Sequence, residues 1–170
     1  NEKPLLEILP LIDAMNIDLK TINPDVYKKV LYGDLIAVKR TIEIAHKRSH
    51  IEITNLLVTG LNDKKNDIDA LIDYVAAIDK DIPLHFSRYF PNYKYSKSPT
   101  SVKTIEYAYE RAKEKLHYVY IGNIGSDYGS NTYCIKCGNL LIERMYYKAL
   151  IKGLKENKCT KCGEEIDIRL

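Results

Sequence analysis

Over the first 130 residues, four short apolar runs alternate with segments of helical spacing, and this alternation constrains the fold more than any other feature of the chain. Strands are read at residues 14–20, in "IEITNLLVTG", in "IPLHFSRYF" and in "HYVYIGN". Between them lie "PDVYKKVL" and "DLIAVKRTIEIAHKR", the latter with Leu35, Val38, Ile42 and Ala45 on one stripe, then "DIDALIDYVAAI". "SPTSVKTIEYAYERAKEKL" reads as a long helix entered through Ser, Pro and Thr. Strands and helices alternating at these lengths predict an α/β domain built on a parallel sheet with right-handed crossovers. At 170 residues the chain can bury one moderate core with a small appendage. The opening "NEKPLLEILP" reads as a helix entered partway and lacks the sections of a signal peptide. With no apolar run near the roughly 20 residues that span a bilayer, a cytosolic location is expected and no membrane partner.

In a parallel sheet or barrel, ligands sit at the carboxyl ends of the strands. Those ends gather Asp18 and Lys20, then Asn55, Thr59 and Asn62, then His85, Arg88 and Tyr89. The first strand poses a question, because Met15, Ile17 and Leu19 point one way while Asn16, Asp18 and Lys20 form a polar row on the other side. Either that face is wet or it lines a polar pocket. Asp18, Lys20, Asn55 and His85 are the candidate binding residues, set against the plainer reading that strand-end polar groups cap helices or form ion pairs. His46, His50 and His117 read as surface or packing residues.

Composition shifts once, near Ser130, after the loop-like "GNIGSDYGSN". Residues 131–170 hold eight Lys or Arg against five Asp or Glu, so the first 130 carry 18 of each and are neutral. All four cysteines lie in this tail. Cys134-x2-Cys137 and Cys159-x2-Cys162, with the 21 residues 138–158 between them, fit paired knuckles around one tetrahedral ion. Gly138 and Gly163 follow the pairs and permit the tight turn that each needs. Zinc is the expected ion, although four thiolates also accept iron, and the ion is expected to supply most of the folding energy of so small a unit. Two disulfides are the competing arrangement. A zinc-ribbon module contacting nucleic acid or a partner protein is the alternative function. Nucleic acid is the weaker case, since four thiolates and one Zn²⁺ contribute about −2 and leave the tail near +1.

The runs "IDAMNIDLKTINPDVYKKV", "IEITNLLVTGLND" and "LHFSRYFPNYK" resemble the second half of radical S-adenosylmethionine (SAM) enzymes similar to pyruvate formate-lyase-activating enzyme. "YVYIGNI", "CIKCGNLLIER" and "CTKCGEEI" narrow the resemblance to the branch labelled AmmeMemoRadiSam system radical SAM enzyme. The likeness covers nearly the whole chain in order. It implies residues 1–130 to be the C-terminal part of a partial, TIM-like (β/α)6 barrel, holding strands four to six, and residues 131–170 to be a zinc-ribbon-like metal-binding domain. The polar row would then face the lumen where the family binds S-adenosylmethionine near a [4Fe-4S] cluster, and the family's Asp-x-Lys strand motif falls on Asp18 and Lys20. A carboxylate can accept both hydrogen bonds of a ribose diol, and an ammonium can pair with the methionyl carboxylate. Thr54 stands where the activating enzymes usually have Arg, and Phe90 where many relatives have His.

The family's C-x3-C-x2-C cluster loop and its Gly-Gly-Glu segment have no counterpart in this sequence and are expected upstream of Asn1. The implied partners are therefore a missing N-terminal half-barrel and a protein substrate or reductant. The implied oxidoreductase chemistry is reductive cleavage of S-adenosylmethionine to a 5′-deoxyadenosyl radical, with glycyl-radical activation the name-giving reaction of the wider group. The chain alone is expected to be inactive.

Overall fold

The computed structural model describes residues 1–146 and 148–168, so positions 147, 169 and 170 of the expected tail lie outside the described residues. The chain divides into two compact units, Asn1–Ile124 and the residues from Gly125 onward.

The first unit runs α1 (Glu2–Ile8), a 3-10 turn (Leu9–Leu11), β1 (Ala14–Asp18), α2 (Pro24–Lys29), α3 (Leu35–His46), β2 (His50–Leu57), α4 (Lys65–Ile78), β3 (Leu84–Arg88), α5 (Val102–Lys113) and β4 (Val119–Gly122). Short polar side chains start three of the helices by accepting otherwise unpaired amides. Asn23 takes the Asp25 and Val26 N–H groups at 2.9 and 3.3 Å, Asp34 takes that of Ile36 at 2.8 Å, and Ser101 takes that of Thr104 at 3.1 Å. This last cap moves the start of α5 from the expected Ser98 to Val102.

The four strands pair in parallel in the order β1-β2-β3-β4, each next to its sequence neighbour. One parity of the sheet is apolar and buried: Ile51, Ile53 and Leu57 on β2, Leu84 and Phe86 on β3, Val119 and Ile121 on β4. These residues belong to one core with Ile42 and Ala45 of α3, Ile68, Ile72 and Val75 of α4, and Ile105, Ala108 and Ala112 of α5. Each large side chain so buried contributes about 1.5–3 kcal/mol. The expected stripe of α3 is present, with Leu35, Ile42 and Ala45 buried and Val38 half-buried against the core. Asp69 of α4 accepts from Tyr107 Oη at 2.9 Å and pairs with Arg111 of α5 at 3.3 Å, tying the two helices at the surface.

The other parity, with Asn16, Asp18, Glu52, Thr54, His85, Ser87 and Tyr120, stays half-buried or exposed. β4 is a fourth parallel strand, one more than the three that the resemblance assigns to this segment. Strand β1 ends at Asp18 rather than at residue 20. Leu19 still donates its N–H to Thr54 O at 3.0 Å, but Lys20 N–H turns to the Tyr27 hydroxyl at 3.1 Å and leaves the ladder.

In the second unit, β5 (Thr132–Tyr133), β6 (Leu140–Met145) and β7 (Lys148–Ile151) form an antiparallel sheet, and β8 (Leu154–Lys155) and β9 (Lys158–Cys159) form a hairpin. The unit starts before the composition shift at Ser130. Ser130 Oγ already bonds to Arg144 O at 3.2 Å, and Asn131 Oδ1 accepts the Arg144 N–H at 2.7 Å, so the end of the apparent linker is stitched to β6. Among the described residues no helix is long and apolar enough to cross a membrane.

Candidate functional site

Asp18 closes β1, and Lys20 follows one residue beyond the ladder. Their side chains meet at 2.9 Å, with the aspartate 53% and the lysine 41% exposed. An ion pair so open is worth about 0–1 kcal/mol, so a ligand can separate the partners at little cost. The backbone beneath them is held far more firmly. Asn55 donates its amide to Leu19 O at 2.7 Å and Lys20 O at 3.1 Å, and Asn62 donates to the same Lys20 carbonyl at 2.6 Å and to Leu56 O at 2.9 Å. Asn62 Oδ1 in turn accepts the Val58 N–H at 2.7 Å. Burial pushes the Tyr27 hydroxyl above its ordinary value; the Lys20 amide opposes this and nearby Asp18 adds to it, so the phenol stays protonated while it accepts that amide.

Asn55 itself lies on the buried parity of β2 with Ile53 and Leu57, 1% exposed, and not on the polar face. Its place in the geometry is to shape the Leu19–Lys20 turn from beneath. Asn62, grouped with it at the strand ends, has the same part. Arg88 Nε donates to Thr100 O at 2.7 Å and the guanidinium lies over Phe90, while buried Tyr89 donates to Tyr95 O at 2.6 Å; both are occupied in holding the loop after β3.

On the polar face, the parallel register sets Asp18, Thr54, His85 and Tyr120 side by side across all four strands. His85 Nε2 lies 2.8 Å from Glu52 Oε2, within ion-pair distance but off the alignment of a hydrogen bond. Its ring stacks on Tyr120 at 5.0 Å. His50, expected to be a surface or packing residue, approaches Glu52 from the other side at 3.7 Å. His85 is the main reason that the Glu52 carboxyl is held below its ordinary value, against the opposing effect of burial, and His50 adds to it. Asn16 and Thr54 exchange hydrogen bonds at 2.9 and 3.0 Å beside this cluster. Glu52 and Tyr120 went unnoticed in the sequence, where the signal was their two-residue spacing from Thr54 and Gly122 on the polar parity. His46 pairs with Asp79 at 3.3 Å and His117 with Asp81 at 2.6 Å, away from the polar row.

In the second unit the sulfurs of Cys134, Cys137, Cys159 and Cys162 all lie within 4.8 Å of one another. Cys134 and Cys162 are 3.6 Å apart, and Cys137 and Cys159 3.7 Å. A disulfide needs about 2.05 Å. A tetrahedron with metal–sulfur bonds of about 2.3 Å has sulfur–sulfur edges of about 3.8 Å, which these two separations approach. The two knuckles share one hydrogen-bond pattern. Cys134 N–H donates to Asn139 O at 2.8 Å and Gly138 N–H to Cys134 O at 2.9 Å, matched by Cys159 to Glu164 and Gly163 to Cys159, both at 2.9 Å. Gly138 and Gly163 take φ of 69° and 74°, the left-handed region that the turn demands. Burial raises the Cys159 thiol, but the Cys162 and Lys161 amides and neighbouring thiols bring it down to about 6. The Glu164 amide lowers Cys162, and burial with the other three thiols outweighs it, pushing that group up to about 12. Four thiolates this close together require a cation among them.

No family model matches the chain. An uncharacterized protein of Methanocaldococcus jannaschii is 45% identical over 175 residues, covering 99% of this chain and 52% of its own length. The chain thus spans about half the length of this curated relative. Among solved structures, a domain of pyruvate-formate lyase-activating enzyme from Bacteroides vulgatus superposes with a TM-score of 0.63 at 15% identity, over 72% of this chain and 75% of that one. The chain shares the fold of that domain. A radical SAM methyltransferase from Sphaerobacter thermophilus aligns less closely, with a TM-score of 0.45 at 15% identity over 80% of this chain and 41% of that one.

Proposed function

We propose that residues 1–124 form one wall of the S-adenosylmethionine site of a radical SAM enzyme related to pyruvate formate-lyase-activating enzyme, in the AmmeMemoRadiSam branch. The observation that carries the reading is the exposed Asp18–Lys20 pair at the carboxyl end of β1, on the polar parity of a parallel sheet with this fold. Lys20 would hold the methionyl carboxylate and Asp18 the ribose diol, each giving up its present partner. Asn55 and Asn62 would position both through the Lys20 carbonyl. The cofactor, with a [4Fe-4S] cluster from an upstream half-barrel, would supply the radical chemistry. The chain covers 52% of the M. jannaschii relative, and β1 stands at an edge of its sheet, both of which are compatible with a further half-barrel.

The test is equilibrium binding of S-adenosylmethionine to the chain joined to such an upstream half. Losing a hydrogen bond to a charged group costs about 1.5–3 kcal/mol, so Asp18→Ala and Lys20→Met should each weaken binding by about 10- to 150-fold with little change in melting temperature. A drop of several degrees at wild-type affinity would instead make the pair a structural brace. For the second unit we propose a zinc ribbon, on the strength of the four converging sulfurs.

A further inference from the structure

We propose that Asn139 is a positioning residue of the four-cysteine centre, its side-chain amide orienting the Cys159 sulfur for a tetrahedral divalent ion. The inference rests on the reading of the four cysteines as one ion site. Asn139 and Glu164 are equivalent in the two knuckles, since the carbonyl of each accepts the N–H of the first cysteine of its own pair. Both side chains cross to the opposite knuckle, but with unequal chemistry. Glu164 meets Lys136 Nζ at 2.8 Å, an ion pair that leaves the sulfurs alone. Asn139 Nδ2 points at Cys159 Sγ itself, 3.7 Å away.

A second feature fixes that aim. A Cβ on Gly153 would overlap both Asn139 Nδ2 and the Leu140 carbonyl, so the amide occupies the space that the missing side chain leaves. The φ of Gly153 is not positive, and the close approach is what calls for glycine there. Held so, Asn139 can present only its N–H to the sulfur, since an amide oxygen would face a thiolate lone pair with nothing to donate. Outer partners of this kind set ligand orientation, and their removal typically weakens metal binding by about 10- to 100-fold.

The experiment titrates Co²⁺ into the full 170-residue chain, followed by its visible absorption, then displaces it with Zn²⁺ against a chelator of known affinity. The wild type should bind one Co²⁺ with the strong bands of a tetrahedral tetrathiolate. Asn139→Ala should bind about 10- to 100-fold more weakly. Asn139→Asp has nearly the same shape but offers an acceptor and a negative charge, and should be weaker still. A structural spacer predicts the reverse order, with Asn139→Asp close to wild type, and that result would overturn the proposal while leaving the centre intact. Equal affinities in all three proteins would also overturn it. At saturating Co²⁺ the sulfur-to-metal absorption should shift in both variants, a signature that loss of fold stability alone does not produce; unshifted bands count against the assignment. A wild-type chain that takes up no Co²⁺ removes the four-cysteine reading itself.

Discussion

Glu52 is the residue at which charge, burial and position meet on the open face of the sheet. Its carboxyl is held low chiefly by His85, so in the folded chain it gives up its proton more readily than in the unfolded chain. A depressed carboxyl contributes stability above its unfolded value, near 4.5, and loses that contribution as pH falls through the folded value. Glu52→Gln should therefore melt below wild type at neutral pH, and the gap should close on acidification below the ordinary carboxylate range. With the side chain 39% exposed, screening keeps the difference under about 1 kcal/mol. Thermal melts of both proteins between pH 3 and 7 check this, and a gap that widens in acid would refute it. The Asp18–Lys20 pair was legible in the sequence because strand parity and spacing locate it. Glu52 was not, because its meaning comes from His85 on the neighbouring strand, and register is a property of two strands that neither one spells out. Asn55 stood out in the sequence by its place toward a strand end, while the two backbone carbonyls that its buried amide holds follow β1 and are not spelled out in its own strand.

Among the elements, the helices were legible as elements from their apolar stripes, while the start of α5 was not, since Ser98 and Ser101 both offer a cap and only Ser101 accepts the Thr104 amide. Strand ends were less legible. β1 stops at Asp18 because Tyr27, Asn55 and Asn62 capture the backbone at Lys20, three contacts from α2, β2 and the loop after it. The knuckle glycines announced themselves by following each cysteine pair, whereas Gly153 carried no local signal, its need arising from Asn139 and Leu140. Gly153→Ala forces that close approach apart and should destabilise the second unit by about 1–3 kcal/mol. Limited proteolysis reads this as faster cleavage beyond residue 125 with the first unit unchanged. Gly60, by contrast, has open space around its would-be Cβ, and an alanine there meets only the cost of its φ of 77°.

At the scale of the whole chain, each unit has its own means of cohesion. The core of the first is drawn entirely from Leu9 through Ile121, with packed neighbours up to Ile124. Among its described residues the second buries few apolar groups beyond Leu141, Ile142, Leu154, Ile166, Cys134 and Cys159. A strong chelator should therefore unfold the second unit while the helical circular dichroism of the first persists. Metal analysis of protein prepared without chelator should find about one ion per chain, and less than a tenth of one would reject the centre. Because the four cysteines already converge in the second unit, the isolated chain, reconstituted anaerobically with iron and sulfide and reduced with dithionite, should form no 5′-deoxyadenosine above the blank. Product above that level would mean that the cluster ligands lie within these 170 residues.

The contact between Cys134 and Cys162 spans 28 residues. In polymer terms, an ion held there ties off a loop, and the chain entropy so removed from the unfolded ensemble corresponds to about 3.6 kcal/mol, comparable with a disulfide of the same span. Unlike a disulfide, the tie answers to mass action. Each tenfold fall in free ion, while the site stays mostly filled, takes about 1.4 kcal/mol from the folded state. The folding of residues beyond 125 would then follow the supply of metal around it, while the apolar core of the sheet unit stays indifferent to that supply.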